Sequence, residues 1–208
     1  SVDEKENSSH YLLHFFSKMC QNASSDKDVY ERFPFLVETT VKVVNVYLQS
    51  HIRYATSMLS ERASLPGFLT DTEKLEEMLR YLPKIIRWMY STLGHSLVET
   101  LDRILSDVEE RSFLSPETMV EMSVATYFSG GVIALRGSMT TDDTADGMDG
   151  AIAARVFRIL LQEGNVIVEQ SPCNHVLQRS FLYFLQRFRS SYVGEQSATT
   201  SKFYTKMG

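Results

Sequence analysis

Apolar residues recur every three or four positions along almost the whole chain, and this spacing is the feature that most limits the possible fold. Between residues 34 and 60 the series is unbroken: Val37, Val41, Val44, Leu48, Ile52, Ala55 and Leu59. Such spacing lines one face of an α-helix, which has about 3.6 residues per turn. Strict alternation over the length of a strand is absent. The sequence therefore predicts an all-α fold.

A second apolar series extends from Leu75 to Ile104 and contains Pro83. A proline in a helix interior removes one backbone hydrogen bond and costs ~3 kcal/mol. We therefore expect two helices or a sharp kink, with Pro83 opening the second piece. Before this series, Thr70 and Glu73 have the spacing of a capping box, in which Thr70 is the cap.

Ser115 and Pro116 predict the start of another helix, which continues to about residue 136. This helix contains Gly130 and Gly131, and each glycine costs roughly 0.5–1 kcal/mol in a helix interior. Two explanations are open, a kink or close packing against a neighbouring helix. Ser171 and Pro172 predict the start of a later helix in the same way.

The pattern indicates seven or eight helices without an exact internal repeat. Helix pairs of about 40–50 residues fit a degenerate α-solenoid, in which each pair buries its apolar face against its neighbours. We expect residues 1–208 to be one fragment of a HEAT/ARM-like α-α superhelix, with about four antiparallel helix pairs. A closed helical bundle is the alternative. The chain starts without methionine and stops where a helix is expected to begin, which favours the solenoid fragment.

Composition excludes several classes of function. A formal net charge of −5 and a pI near 5.6 argue against nucleic-acid binding, which needs a basic face. Cys20 and Cys173 do not form a disulfide framework, so we expect a reducing intracellular compartment. No run of about 18 apolar residues is present, and no membrane span is predicted.

Motifs for catalysis are missing from the sequence. The triplet Gly94-His95-Ser96 lacks the final glycine of a nucleophile elbow and falls inside a predicted helix. Neither a phosphate-binding P-loop nor a dinucleotide-binding glycine motif occurs. We therefore predict no enzymatic activity, no catalytic residues and no cofactor.

Two pairs of residues that contain histidine could in principle supply metal ligands. His10 and His14 have a spacing that can bind a metal on one helix face, but core-type residues separate them. Cys173 and His175 are close in sequence, without a second pair to complete a site. Ordinary structural or surface roles are favoured for both, and no metal site is predicted.

The strongest charge cluster lies in the polar stretch 137–149, which we expect to be an acidic loop between helices. Its acidic residues are Asp142, Asp143, Asp146 and Asp149. The start of this stretch is similar to a calcium-binding loop, but Ala153 stands where a bidentate glutamate is required. Two interpretations are left: a solvated loop that also caps the next helix, or a contact surface for a basic partner.

Three stretches near the C-terminus, 149–160, 180–196 and 201–204, carry a resemblance to a known family, and the stretches 10–13 and 46–50 carry a weaker one. In these stretches the chain resembles the exportin-7 branch of the importin-β family of karyopherins. Phe16 and His51 stand where the family has tryptophan and arginine. The alternatives within the family are therefore an exportin-7, the related exportin-4 group or another importin-β-like receptor.

This resemblance implies a HEAT-repeat superhelix that shuttles between nucleus and cytoplasm. Its implied partners are GTP-bound Ran, protein cargo and nuclear pore proteins. Acidic loops in the middle repeats of related receptors touch a basic face of Ran, and Asp142, Asp143, Asp146 and Asp149 are the candidates for that contact. A helical-repeat scaffold for another intracellular complex is the alternative function.

Overall fold

The computed structural model describes residues 2–23, 32–62, 64–110, 113–135, 143–163 and 172–193. Nine α-helices lie within these ranges: α1 (Val2–Ala23), α2 (Pro34–Arg62), α3 (Gly67–Thr70), α4 (Thr72–Met78), α5 (Leu82–Trp88), α6 (Tyr90–Glu109), α7 (Pro116–Ile133), α8 (Asp143–Glu163) and α9 (Pro172–Phe188). A π-helical turn, Arg189–Val193, continues α9. The prediction of an all-α fold is confirmed.

The long helices form two rows, and the chain alternates between them. One row contains α1, the consecutive helices α5 and α6, and then α8, because α1 contacts α5 and α6 contacts α8. The other row contains α2, α7 and α9, which contact one another in that order. Helices that follow one another in the chain thus lie in alternate rows, which gives three successive pairs along the described residues: α1 with α2, α5 and α6 with α7, and α8 with α9. Such alternation is expected of a helical-repeat solenoid. The predicted start of a further helix near the C-terminus lies outside the described residues.

Helix α7 is the centre of the stack. It contacts α2, α5, α6, α8 and α9. After the first turn every residue of the helix is buried except Glu121, which is half-buried. A helix that is apolar around its whole circumference has to be buried in this way. Two of its buried hydroxyl groups bond within the helix: Ser123 donates to the Met119 carbonyl at 2.7 Å and Ser129 to the Ala125 carbonyl at 2.8 Å.

The start of α7 is capped as the sequence predicts. Ser115 has an extended backbone, and its hydroxyl oxygen accepts a hydrogen bond from the Thr118 N–H at 3.2 Å. Pro116 occupies the first turn, where its missing N–H leaves no helical hydrogen bond unmade.

Close packing, and not a kink, explains the glycine pair in α7. The helix continues without a break through Gly130 and Gly131. A Cβ atom at Gly130 would lie 2.9 Å from the Tyr183 ring and 3.2 Å from the Phe184 Cα. A Cβ atom at Gly131 would lie 2.9 Å from the Pro83 Cγ. The two glycines therefore let α9 and α5 approach the α7 backbone.

Helix α4 is capped one residue later than the sequence predicts. The Asp71 carboxylate accepts hydrogen bonds from the N–H of Glu73 at 2.8 Å and of Lys74 at 3.4 Å. The Thr70 hydroxyl donates instead to the Gly67 carbonyl at 3.2 Å, within α3. Thr70 ends a one-turn helix that the sequence pattern does not indicate, so the capping box assigned to Thr70 and Glu73 is wrong.

The break at Pro83 is confirmed, because α4 ends at Met78 and α5 begins at Leu82 with Pro83 in its first turn. A second break occurs at Met89, whose backbone angles are φ −107° and ψ 44°. The apolar spacing continues through Met89, so the sequence pattern gives no sign of this break. It separates α5 from α6 within one row.

The close approach at Gly130 predicts the effect of adding a single methyl group. Gly130→Ala should lower the free energy of unfolding by about 1–2 kcal/mol, because overpacking against α9 outweighs the better helix propensity of alanine. Gly67→Ala is the matched control, since its methyl group would meet the flexible end of the Lys74 side chain alone. Urea denaturation followed by circular dichroism measures both. A Gly130→Ala variant as stable as the parent would contradict the packing role.

Candidate partner-binding site

The acidic segment predicted as a loop is in part helical. Helix α8 begins at Asp143, so Asp143, Asp146 and Asp149 lie in its first two turns. Acidic residues in a first turn are favoured by the partial positive charge of a helix N-terminus. Ala145, Met148 and Ile152 continue the three-and-four spacing of the buried face of α8. This spacing shows why the helix begins earlier than the polarity of the segment suggests.

The four predicted contact residues have different environments. Asp142 lies outside the described residues, and Asp143 is the first residue of α8. Asp146 and Asp149 are buried, with 8% and 0% of their surface exposed. The structure therefore does not bring the four carboxylates together on one surface, because α8 turns the later two towards the interior. The helical conformation from Asp143 onwards also rules out the calcium-loop geometry.

Asp149 lies at the centre of a buried polar cluster. The Arg87 Nη1 donates to its Oδ1 at 2.5 Å, and this ion pair is completely buried. The hydroxyl group of Tyr90 donates to the same oxygen, and that of Tyr192 donates to Oδ2. The Arg87 guanidinium carbon also lies 4.4 Å from the centroid of the Tyr90 ring, in a cation–π contact. We call these four residues the Asp149 cluster.

The Asp149 cluster joins four separate segments of the stack. Arg87 is in α5, Tyr90 begins α6, Asp149 is in α8 and Tyr192 is in the π-helical turn after α9. In the same turn, the Ser191 hydroxyl donates to the Ile133 carbonyl at the end of α7 at 3.2 Å. π-helical turns are rare in proteins. This one places the Tyr192 hydroxyl group against the Asp149 carboxylate, and the hydrogen bond between them accounts for the unusual turn.

The electrostatic environment keeps Arg87 charged and Tyr90 neutral. Burial lowers the pKa of Arg87, but the charge and the hydrogen bond of Asp149 outweigh it, so the pKa is raised and the guanidinium stays charged. Burial, followed by the charge of Asp149, raises the pKa of Tyr90 well above its ordinary value, and its hydroxyl group remains a donor. Neither group is shifted towards neutral pH, as an acid–base catalyst would need. The arrangement is that of a structural clamp.

A small cleft lies beside the Asp149 cluster, between α5, α6 and the first turns of α8. Its volume is about 150 Å³. It is lined by Arg87, Trp88, Tyr90, Ser91, Thr144, Ala145 and Met148. Sequence reasoning did not find this site. The available signal was Arg87, a charged residue within an otherwise apolar series.

The cleft is not lined by His14, Cys173 or His175, the described residues that the sequence offers as metal ligands. His14 is exposed and its ring centroid lies 5.2 Å from that of Tyr81. Cys173 is buried, whereas His175 is exposed. In the part of the chain that the structure describes, no group of three or more histidine, cysteine, aspartate or glutamate residues could hold a metal ion. Within the same ranges, no helix is both long enough and apolar enough to cross a bilayer.

Removal of one charge from the buried pair should be strongly destabilising. Asp149→Ala leaves the Arg87 guanidinium uncompensated and should lower the free energy of unfolding by about 3–5 kcal/mol. The matched control is Asp102→Ala, which removes the partly exposed ion pair with Arg155 and should cost about 0–1 kcal/mol. The double variant Arg87→Met, Asp149→Leu should recover part of the loss, because both charges are gone but the hydroxyl groups of Tyr90 and Tyr192 lose their acceptor. Urea denaturation measures all three, and equal losses for the two single variants would contradict the prediction.

Comparison with known proteins places the chain in a family. The family described as "Exportin-7-like, TPR domain" matches residues 56–208. Its repeats are named as tetratricopeptide type, whereas the sequence predicted the HEAT type; both are stacks of antiparallel helix pairs. No solved structure matches the chain.

Curated relatives match almost the whole chain at modest identity. Mouse (Mus musculus) Ran-binding protein 17 is 26% identical over 97% of this chain and 19% of its own length. Exportin-7-B of Xenopus laevis is 28% identical over 97% of this chain and 19% of its own length. Exportin-7 of Dictyostelium discoideum is 29% identical over 67% of this chain. The chain thus spans about a fifth of the length of the first two relatives. Since the family match covers more than half of its residues, the chain belongs to the exportin-7-like family.

Proposed function

We propose that this chain is a segment of a nuclear transport receptor that binds protein cargo and GTP-bound Ran. The observation that carries this proposal is the exportin-7-like family match over residues 56–208. The names of the relatives, an exportin and a Ran-binding protein, agree with it. The role is non-enzymatic, and it includes nuclear pore proteins as further partners and movement between nucleus and cytoplasm.

The two-row stack suits this function physically. Each helix pair presents its outer residues on a continuous surface, and a solenoid of such pairs offers a partner a long contact area. The rigid clamp at Asp149 holds the second and third pairs of the described residues together. A receptor that uses several pairs for one partner needs such a fixed relation between them.

The proposed contact with Ran is carried by Asp142 and Asp143. Of the four acidic residues predicted for this role, Asp149 already receives three hydrogen bonds from within the chain. Asp146 is also buried. A partner cannot reach buried carboxylates, which leaves Asp142 and Asp143 for the proposed contact. Their charges would meet a basic face of Ran, and the attraction would weaken as salt increases.

The complete receptor that contains this segment provides the test. Asp142→Lys together with Asp143→Lys should weaken binding to GTP-bound Ran by roughly tenfold and reduce its salt dependence, because attraction becomes repulsion. The matched control is Glu73→Lys together with Glu76→Lys, two exposed acidic residues of α4 with the same change in net charge. Titration calorimetry at two salt concentrations measures both.

Two results would count against the proposal at different levels. Unchanged affinity after reversal of Asp142 and Asp143 would remove these residues from the Ran contact. Equal binding of the GTP-bound and GDP-bound forms of Ran would contradict the receptor function itself. That second outcome would favour a helical-repeat scaffold for another complex.

A further inference from the structure

We infer that a polar cleft between α2 and α6 binds an extended segment of a partner protein, with a lysine or arginine of that segment beside Glu99. The residues that line this cleft come from α2 and α6 alone. It is therefore separate from the acidic segment at the start of α8. The inference goes beyond the proposed contact with Ran and does not depend on it.

The cleft is open and lined by polar side chains. Its volume is about 260 Å³. Its lining residues are Asn45 and Gln49 of α2 and Ser96, Glu99, Thr100 and Arg103 of α6. All of them except Thr100 are half-buried or exposed. A ligand of this cleft would thus be held by hydrogen bonds and charge, and not by apolar burial.

Three of the lining side chains have bonding groups that the rest of the stack does not use. Within the described ranges, no hydrogen bond or ion pair reaches the side chains of Asn45, Gln49 or Glu99. Thr100, in contrast, donates to the Ser96 carbonyl at 2.9 Å. Two carboxamides and one carboxylate are therefore left for a ligand.

The two carboxamides have the spacing of an extended polypeptide. Asn45 and Gln49 are four residues apart in α2, which separates them by about 6 Å along the helix axis. An extended chain advances about 6.6 Å over two residues, after which its peptide groups point in the same direction again. Each carboxamide has N–H donors and a carbonyl acceptor, the complement of a peptide group. A partner helix would not bond in this way, because its backbone groups are already paired.

Charge favours a basic residue in the bound segment. The Arg103 Nη2 donates to Glu121, and its Nη1 lies 3.7 Å from the Asp107 Oδ2, so two carboxylates balance its positive charge. Glu99 is not one of these carboxylates, and its negative charge is uncompensated within the described part of the chain. A lysine or arginine of the partner would pair with it, whereas a phosphate group would be repelled.

The carboxamides provide a direct readout of binding to the 208-residue chain. The side-chain NH₂ groups of Asn45 and Gln49 give their own signals in a ¹H–¹⁵N correlation spectrum, and the variants Asn45→Ala and Gln49→Ala identify them by loss of those signals. The probe is the peptide acetyl-Thr-Thr-Lys-Thr-Thr-amide, because threonine favours an extended chain. Both signals should shift as the peptide is added, and the titration gives its affinity. If neither signal moves at millimolar peptide, the inference is wrong.

A second peptide tests whether the backbone of the partner is recognised. Methylation of the peptide nitrogens removes the N–H donors and should weaken binding at least about tenfold. The double variant Asn45→Ala, Gln49→Ala should weaken the unmethylated peptide to a similar extent. Gln178→Ala removes an exposed carboxamide of α9 and is the matched control, with no expected effect. Equal affinities of the methylated and unmethylated peptides would refute backbone recognition.

A third peptide, with glutamine in place of lysine, tests the charge assignment. It should bind about three- to fivefold more weakly than the lysine peptide, as expected for one exposed ion pair. Glu99→Gln should abolish this difference. Glu76→Gln removes an exposed carboxylate of α4 with the same change in net charge and should preserve it. A lysine preference that survives Glu99→Gln would show that Glu99 is not the partner of the basic residue.

The outcomes separate this inference from the proposed function. Every replaced side chain is exposed or half-buried, so the variants should fold, and circular dichroism verifies this. Failure of the peptide tests would refute the cleft and leave the proposed Ran contact standing. Equal binding of GTP-bound and GDP-bound Ran by the complete receptor would refute the transport function and leave the peptide cleft standing.

Discussion

The buried ion pair between Arg87 and Asp149 is the interaction on which the arrangement of the second and third helix pairs depends. Both charges are removed from water, so each of them needs the other, and the hydroxyl groups of Tyr90 and Tyr192 complete the bonding of the carboxylate. Misplacement of any one segment would leave a buried charge or donor without compensation. The pair thus makes one relative position of α5, α6, α8 and the end of α9 far more stable than the others.

The packing around α7 and the Asp149 cluster have complementary roles. Gly130 and Gly131 allow α9 and α5 to lie directly against the α7 backbone. This apolar contact brings the rows together without specifying a unique register, since apolar burial is not directional. The hydrogen bonds to Asp149 are directional and supply that register.

The helices of this chain are predictable from the sequence wherever a local pattern is sufficient. The apolar spacing of α2, the break at Pro83 and the Ser115 cap all depend on residues within one or two turns. The acidic segment was misjudged for the opposite reason. Asp149 has the polarity of a surface residue, and its partner Arg87 is 62 positions away in the sequence. Nothing local to either residue indicates that they meet, and the same applies to Tyr192.

The sequence by itself determined the all-α class, most of the long helices, the helical-repeat character and the resemblance to one family, because these follow from periodicity and from similarity of pattern. Only the tertiary structure decided which carboxylates of the acidic segment are buried and why the glycines of α7 are needed. These properties depend on distances between helices. Each is set by the sum of contacts from several segments, which no single stretch of sequence contains.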